Sequence, residues 1–216
     1  MAEGQLVLPV PRVRQAFDPS QWQEQGFTSR SEAEHWSHRA CGTACVGMLI
    51  GYFRGHYPPL ADILREGLES DAYSDRGWIH AGLARLLTTH GVPSQATPLG
   101  YPQELVAAIE ARIPLIVSVS DEFPCDGRKG GHLVVVTGVA MSGGQLLTVY
   151  FNDPSSWGDR HTSVPAARFA ASFTGRAIMP TLSVSGDPRH GPAIPALEAG
   201  NATIRAESNG QAGSLR

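Results

Sequence analysis

The run Cys41-Gly42-Thr43-Ala44-Cys45-Val46-Gly47-Met48-Leu49-Ile50-Gly51-Tyr52-Phe53 sets the reading of everything around it. It is long enough for a helix, carries no charge, and repeats small residues, so it predicts a central helix buried on most sides and packed closely against its neighbours. Upstream, Leu6 to Val13 is apolar but holds Pro9 and Pro11, which suits an extended edge segment. Residues 15–39 are polar and irregular, with Trp22, Phe27 and Trp36 as anchors. Downstream, apolar residues recur at helical spacing at Leu60, Ile63, Leu64 and Leu68, again at Ile79, Leu83, Leu86 and Leu87, and at Leu105, Ala108 and Ile109. The period then changes. Residues 114–120 and 132–140 are β-branched runs of strand length, and 146–151 follows the Ser142-Gly143-Gly144 turn as the second arm of a hairpin. A last helix near 165–173 and a short strand near 177–179 close the unit. Helices first and an antiparallel sheet second is the α+β pattern: a helical half whose central helix packs on the sheet.

Composition bounds the function classes. A chain of 216 residues with 42% hydrophobic and 17% charged residues can bury one sizeable core. With 17 Lys+Arg against 20 Asp+Glu the net charge is −3, so no footprint for nucleic acid or an anionic membrane is present. Lys129 is the sole lysine, a bias in keeping with a GC-rich bacterial genome and with no mechanistic content. No stretch reaches the ~20 apolar residues of a membrane span, and no basic region leads into an apolar core as in a secretory signal. A cytoplasmic protein without a membrane partner is the expectation. Aromatic residues stop at Phe173, and residues 181–216 hold five glycines and three prolines. Such a segment buries too little apolar surface to offset its ordering entropy, so a folded domain over 1–180 and a flexible low-complexity tail over 181–216 are expected.

Cys41, Cys45 and Cys125 cannot form a disulfide framework, which makes each thiol a candidate for chemistry or for packing. A cysteine nucleophile needs a site that favours thiolate, an imidazole in reach, a group that orients the imidazole, and donors for an oxyanion. Cys41 opens the central helix, where unpaired N–H groups and the helix dipole favour thiolate. His132 opens a strand directly after Gly130-Gly131, a good address for a general base. Asp153, one hairpin arm away, is placed to accept the second imidazole N–H. Gln15 is the first choice of side-chain oxyanion donor, with Gln21, Gln23 and Gln25 as substitutes and the Cys41 N–H as partner. Cys45 shares a helix face with Cys41 and reads as packing, and Cys125 as an incidental thiol of the loop 121–131, expected as a wall or lid of the cleft. His35, His38, Cys41 and Cys45 have metal-ligand spacing, but a structural zinc site wants a second knuckle that the sequence lacks. No metal or other cofactor is expected. Trp36, Tyr73, Trp78, Phe123 and Trp157 are the expected cleft walls.

The segments Cys41 to Met48, Gly131-His132-Leu-Val-Val-Val-Thr-Gly138 and Asn152-Asp153-Pro154 resemble the C39-like cysteine peptidases of the papain-like superfamily, over roughly residues 7–180. The resemblance implies a papain-like fold, Cys41 as nucleophile, His132 as base, Asp153 as its orienting group, and an upstream Gln, matching Gln15 in Val10 to Gln15, at the oxyanion hole. It implies a peptide or small amide as substrate. Transporter-linked members place the Gln about six residues before the Cys, where this chain has His35, so Gln15 requires a 25-residue insertion. The same machinery also serves acyltransferases or peptide ligases, and the family includes idle peptide-binding modules that have lost the nucleophile.

Overall fold

The computed structural model describes residues 4–181, so the expected tail lies outside the described residues but for Thr181. In chain order the elements are β1 (Gly4–Val7), α1 (Arg30–Ser37), α2 (Cys41–Arg54), α3 (Leu60–Glu69), β2 (Tyr73–Ser74), β3 (Gly77–Trp78), α4 (His80–Thr89), β4 (Ser94–Pro98), α5 (Gln103–Glu110), β5 (Leu115–Val119), β6 (His132–Ser142), β7 (Gln145–Asn152), β8 (Ser163–Pro165), α6 (Ala166–Ser172) and β9 (Arg176–Pro180).

α2 is the helix expected at the centre. Nine consecutive residues, Gly42 to Ile50, are buried, and the helix stops at Gly55, whose positive φ of 77° reverses the chain. The main sheet is antiparallel, ordered β4-β9-β5-β6-β7-β8. β6 is the strand that organises it. Its first half pairs with β5, with Val119 opposite His132, and its second half pairs along the same edge with β1, with Leu6 opposite Val139. β7 takes the other edge through a turn at Gly143 and Gly144, both at positive φ. Every residue of β5 and the first eight of β6 are buried, so both faces of the sheet are covered there, as their unbroken apolar runs require. His132 thus begins a strand at the middle of the sheet, and Asp153 follows β7 beside it.

Two segments differ from the sequence reading. Residues 15–39 are not wholly irregular: Ser29 Oγ accepts the Glu32 N–H, and the Glu32 carboxylate accepts the N–H and hydroxyl of Thr28, which starts α1. This insertion packs on α3 in a second, smaller core, where Phe17 and Ala33 meet Ala40, Ala61 and Leu64, flanked by Trp22, Phe27 and Trp36. β2 and β3 form a separate two-stranded hairpin beside α2.

Candidate active site

Cys41 is the first residue of α2 and is half-buried. Ala40 before it supplies no side-chain cap, so the amino end of the helix keeps its donors for another partner. Trp78 from β3 closes over this end: its indole Nε1–H donates to the Arg39 carbonyl at 2.6 Å, and its ring lies where a Cβ at Gly42 would stand, 2.5 Å from Cγ. Gly42→Ala should therefore displace the tryptophan and destabilise the fold by about 1–3 kcal/mol, the usual cost of overpacking. Urea unfolding of the two proteins checks this, and an unchanged midpoint would show that Trp78 is not fixed there.

His132 and Asp153 meet in a buried pair. The imidazole Nε2–H donates to Asp153 Oδ1 at 2.9 Å, and the imidazole and carboxylate are 7% and 0% exposed. Burial works against a charged imidazole, but its hydrogen bond to Asp153 and the adjacent Cys41 sulfur, with the negative charge of each, outweigh it and push His132 up to about 10. With Nε2 committed to the carboxylate, Nδ1 is the nitrogen left for the thiol. For Asp153, burial favours the neutral acid, yet the bond to His132 and the Ser155 N–H donated at 2.7 Å hold it below the usual carboxylate range. The structure thus brings Cys41, His132 and Asp153 together from a helix start, a strand start and a strand end.

The loop that carries Asp153 is clamped from the N-terminal segment. Arg12 donates from Nε to the Asp153 carbonyl at 2.7 Å and from Nη2 to the Ser155 carbonyl at 2.6 Å, and it pairs through Nη1 with Asp159. Gly158 lies against the back of Asp153, where a Cβ would fall on the Asp153 carbonyl oxygen. Gln15 belongs to the same clamp. Its backbone N–H donates to the Pro154 carbonyl at 2.9 Å, and its side-chain Nε2 donates to the Ser37 carbonyl at 3.2 Å. Ser37 Oγ in turn accepts the Phe17 N–H, so the insertion between Gln15 and Cys41 loops out and returns to its starting point. Gln21 and Gln23 are exposed in that loop.

Cys45 is fully buried, and its thiol donates to the Leu133 carbonyl at 3.4 Å. Burial, then the neighbouring Cys41 and Asp153, push that thiol well above its ordinary value, so Cys45 is a packing residue that registers α2 against β6. Beside Cys41 and His132 opens a cleft of about 680 Å³, bordered by the β2–β3 hairpin, the start of α4, and β9.

A model of the Peptidase_C39 like family matches residues 7–177. The chain belongs to that family. Among solved structures, the chain is similar to a double glycine motif protease from an AMS/PCAT transporter in complex with its leader peptide, at 18% identity and a TM-score of 0.52, covering 83% of this chain and 100% of that one. It is likewise similar to a candidate C39-like peptidase from Bacillus anthracis, at 18% identity and a TM-score of 0.53, covering 84% and 99%. These likenesses establish the mixed helix and antiparallel-sheet fold of C39 and papain-like peptidases. No curated protein matches the sequence.

Several expectations change for this member of the C39-like family. Tyr73 and Trp78 line the cleft, but Trp36 sits behind Tyr73 with its ring centroid 5.2 Å away. Phe123 and Trp157 are not cleft walls: Phe123 is fully buried against Phe151, and Trp157 stacks between Phe151 and His161. The first part of the loop 121–131 is pinned, because Arg168 donates to the carbonyls of Glu122 and Phe123. His35, His38, Cys41 and Cys45 do not converge: Cys45 faces β6 while His35 is exposed on α1. Among the described residues, Asp121, His132 and Asp153 are instead the metal-type ligands whose donor atoms lie within 4.8 Å of one another. Two of those three atoms already bond each other.

Proposed function

We propose that this protein is a cysteine peptidase that cleaves a peptide or amide bond through Cys41, His132 and Asp153. The observation that carries the reading is the buried His132 imidazole, hydrogen-bonded to Asp153 and lying beside Cys41, whose sulfur helps to hold it charged. Cys41 sulfur attacks the carbonyl carbon, forming a C–S bond and moving an electron pair onto oxygen. The Cys41 backbone N–H, at an uncapped helix end, and the second amide N–H of Gln15 are the donors for that oxyanion. Imidazolium His132 protonates the departing nitrogen as the C–N bond breaks, leaving a thioester and a neutral imidazole. His132 then takes a proton from water, whose oxygen adds to the thioester, and the C–S bond breaks to return the Cys41 thiolate and release an acid. Asp153 keeps the tautomer and ring orientation constant through both steps. Family membership supports peptidase chemistry. A peptide is the substrate class we assign, in keeping with the structurally similar protease solved with a leader peptide. Among the described residues no helix is long and apolar enough to cross a membrane.

Limiting iodoacetamide, followed by peptide mapping, tests the reading without knowledge of the substrate. Cys41 should be alkylated before exposed Cys125, and buried Cys45 not at all. His132→Gln should abolish the preference for Cys41. Equal labelling of Cys41 and Cys125 in the native protein would overturn the Cys–His pair. Turnover in the presence of added amines then separates water from another acyl acceptor.

A further inference from the structure

The cleft beside Cys41 is cationic. Arg39, Arg76, His80 and Arg176 line it together with His132, and among the described residues no aspartate or glutamate does. Overall composition does not account for this, since the whole chain is net −3. The three guanidinium groups come from unrelated elements: Arg39 precedes α2, Arg76 lies in the turn between β2 and β3, and Arg176 opens β9. Five arginines outside the cleft are ion-paired: Arg12 and Arg14 share Asp159, Arg30 pairs with Glu34, Arg65 with Asp62, and Arg128 with Asp126. Among the described residues, the side chains of Arg76 and Arg176 form no ion pair and no hydrogen bond. His80 lies close enough to Arg176 that burial and that guanidinium together hold it below its ordinary range, and its Nε2 is buried with no partner.

A concave site lined by one sign of charge focuses its field and concentrates ligands of the other sign. Arginine adds geometry, because its planar fork matches a carboxylate with two parallel hydrogen bonds. We infer that this cleft is a carboxylate subsite, in which Arg76 and Arg176 grip an acidic group of the substrate close to the bond that Cys41 attacks. The same hairpin that carries Arg76 also presents Tyr73 and Trp78 to the cleft, an aromatic surface that suits the apolar body of the same peptide. The carboxylate is that of an Asp or Glu side chain or of a chain terminus. The inference deepens the peptidase reading and rests on it only for the word substrate.

Its test needs no turnover. Iodoacetate and iodoacetamide attack the same thiol and differ in charge, so the ratio of their rates at Cys41 reports the field in the cleft. Arg76→Gln/Arg176→Gln should lower that ratio at least threefold. Arg85→Gln/Arg160→Gln, which removes the same charge outside the cleft lining, should leave it as in the native protein. Added salt should shrink the native ratio, because exposed charges are screened over ~8 Å at physiological ionic strength. An equal ratio in the cleft variant and the native protein overturns the subsite. Peptides matched except for Glu or Gln near the scissile bond, each with a free or an amidated terminus, provide the second arm. A tenfold higher kcat/KM for Glu with both termini amidated assigns the subsite to a side chain. The same gain from a free terminus assigns it to a terminal carboxylate, and no gain from either overturns it. If no peptide is cleaved while the alkylation ratio behaves as expected, the peptidase reading falls and the anion site stands.

Discussion

Cys41→Ala should lower peptide turnover by at least about 10⁴-fold, as loss of the nucleophile does where the catalytic groups act as a unit, and should leave the fold in place. The sulfur sits at the first position of α2, half-buried at the edge of the core, so its removal leaves the fully buried residues of the core in place. The unfolding free energy should fall by no more than about 1–3 kcal/mol, the ordinary range for a single substitution, through lost packing and the lost partner of His132, with the cooperative transition retained. Cys41→Ser keeps the shape of the site and should be nearly as inactive, since an alcohol opposite His132 is a far weaker nucleophile than a thiol. Turnover that survives in Cys41→Ala with a native midpoint would remove Cys41 from the reaction.

The second large effect is on stability, and pH sets its sign. Asp153→Ala leaves a buried imidazole without its carboxylate, and breaking a buried pair from one side costs about 3–5 kcal/mol. His132 is raised from 6.5 to about 10 in the folded protein, so its contribution is complete below pH 6.5 and fades as pH climbs through 10. Asp153 is lowered from 3.8, so its contribution is present above that value and fades as pH falls through the folded-state value. Without Asp153, burial would press His132 toward the neutral form. The gap in unfolding free energy between native protein and variant should therefore be widest near pH 5.5 and narrow steadily at 7.5 and 9.5. A gap that does not change with pH would mean that the pair is not charged in the folded protein.

What the chain discloses about itself follows the range of the interactions. α2, the three shorter helices after it and the strands from 115 to 152 stand where periodicity puts them, because each buries a face whose pattern is local. α1 has no apolar stripe to betray it, yet Ser29 and Glu32 carry a capping-box spacing that marks its start. β4 is a mostly polar five-residue segment held by its pairing with β9, and β2 and β3 are two residues each, too short to set a period. The site divides the same way. Cys41, His132 and Asp153 lie at element ends that the sequence marks, whereas Arg39, Arg76 and Arg176 have no common spacing and meet only because α2, the β2–β3 hairpin and β9 border one cleft. Phe123 and Trp157 are aromatic and close to the site in sequence, but they face the core behind Asp153.

The grip of Arg12 on the Asp153 carbonyl joins positions 141 residues apart. In the order of synthesis Cys41 is made 91 residues before His132 and 112 before Asp153. A ribosome therefore displays the thiol long before it supplies the base, and supplies the carboxylate that Arg12 clamps soon after the base. An unfinished chain carries a cysteine with no machinery around it. The proposed catalytic group is therefore complete only when the helical half and the sheet have docked.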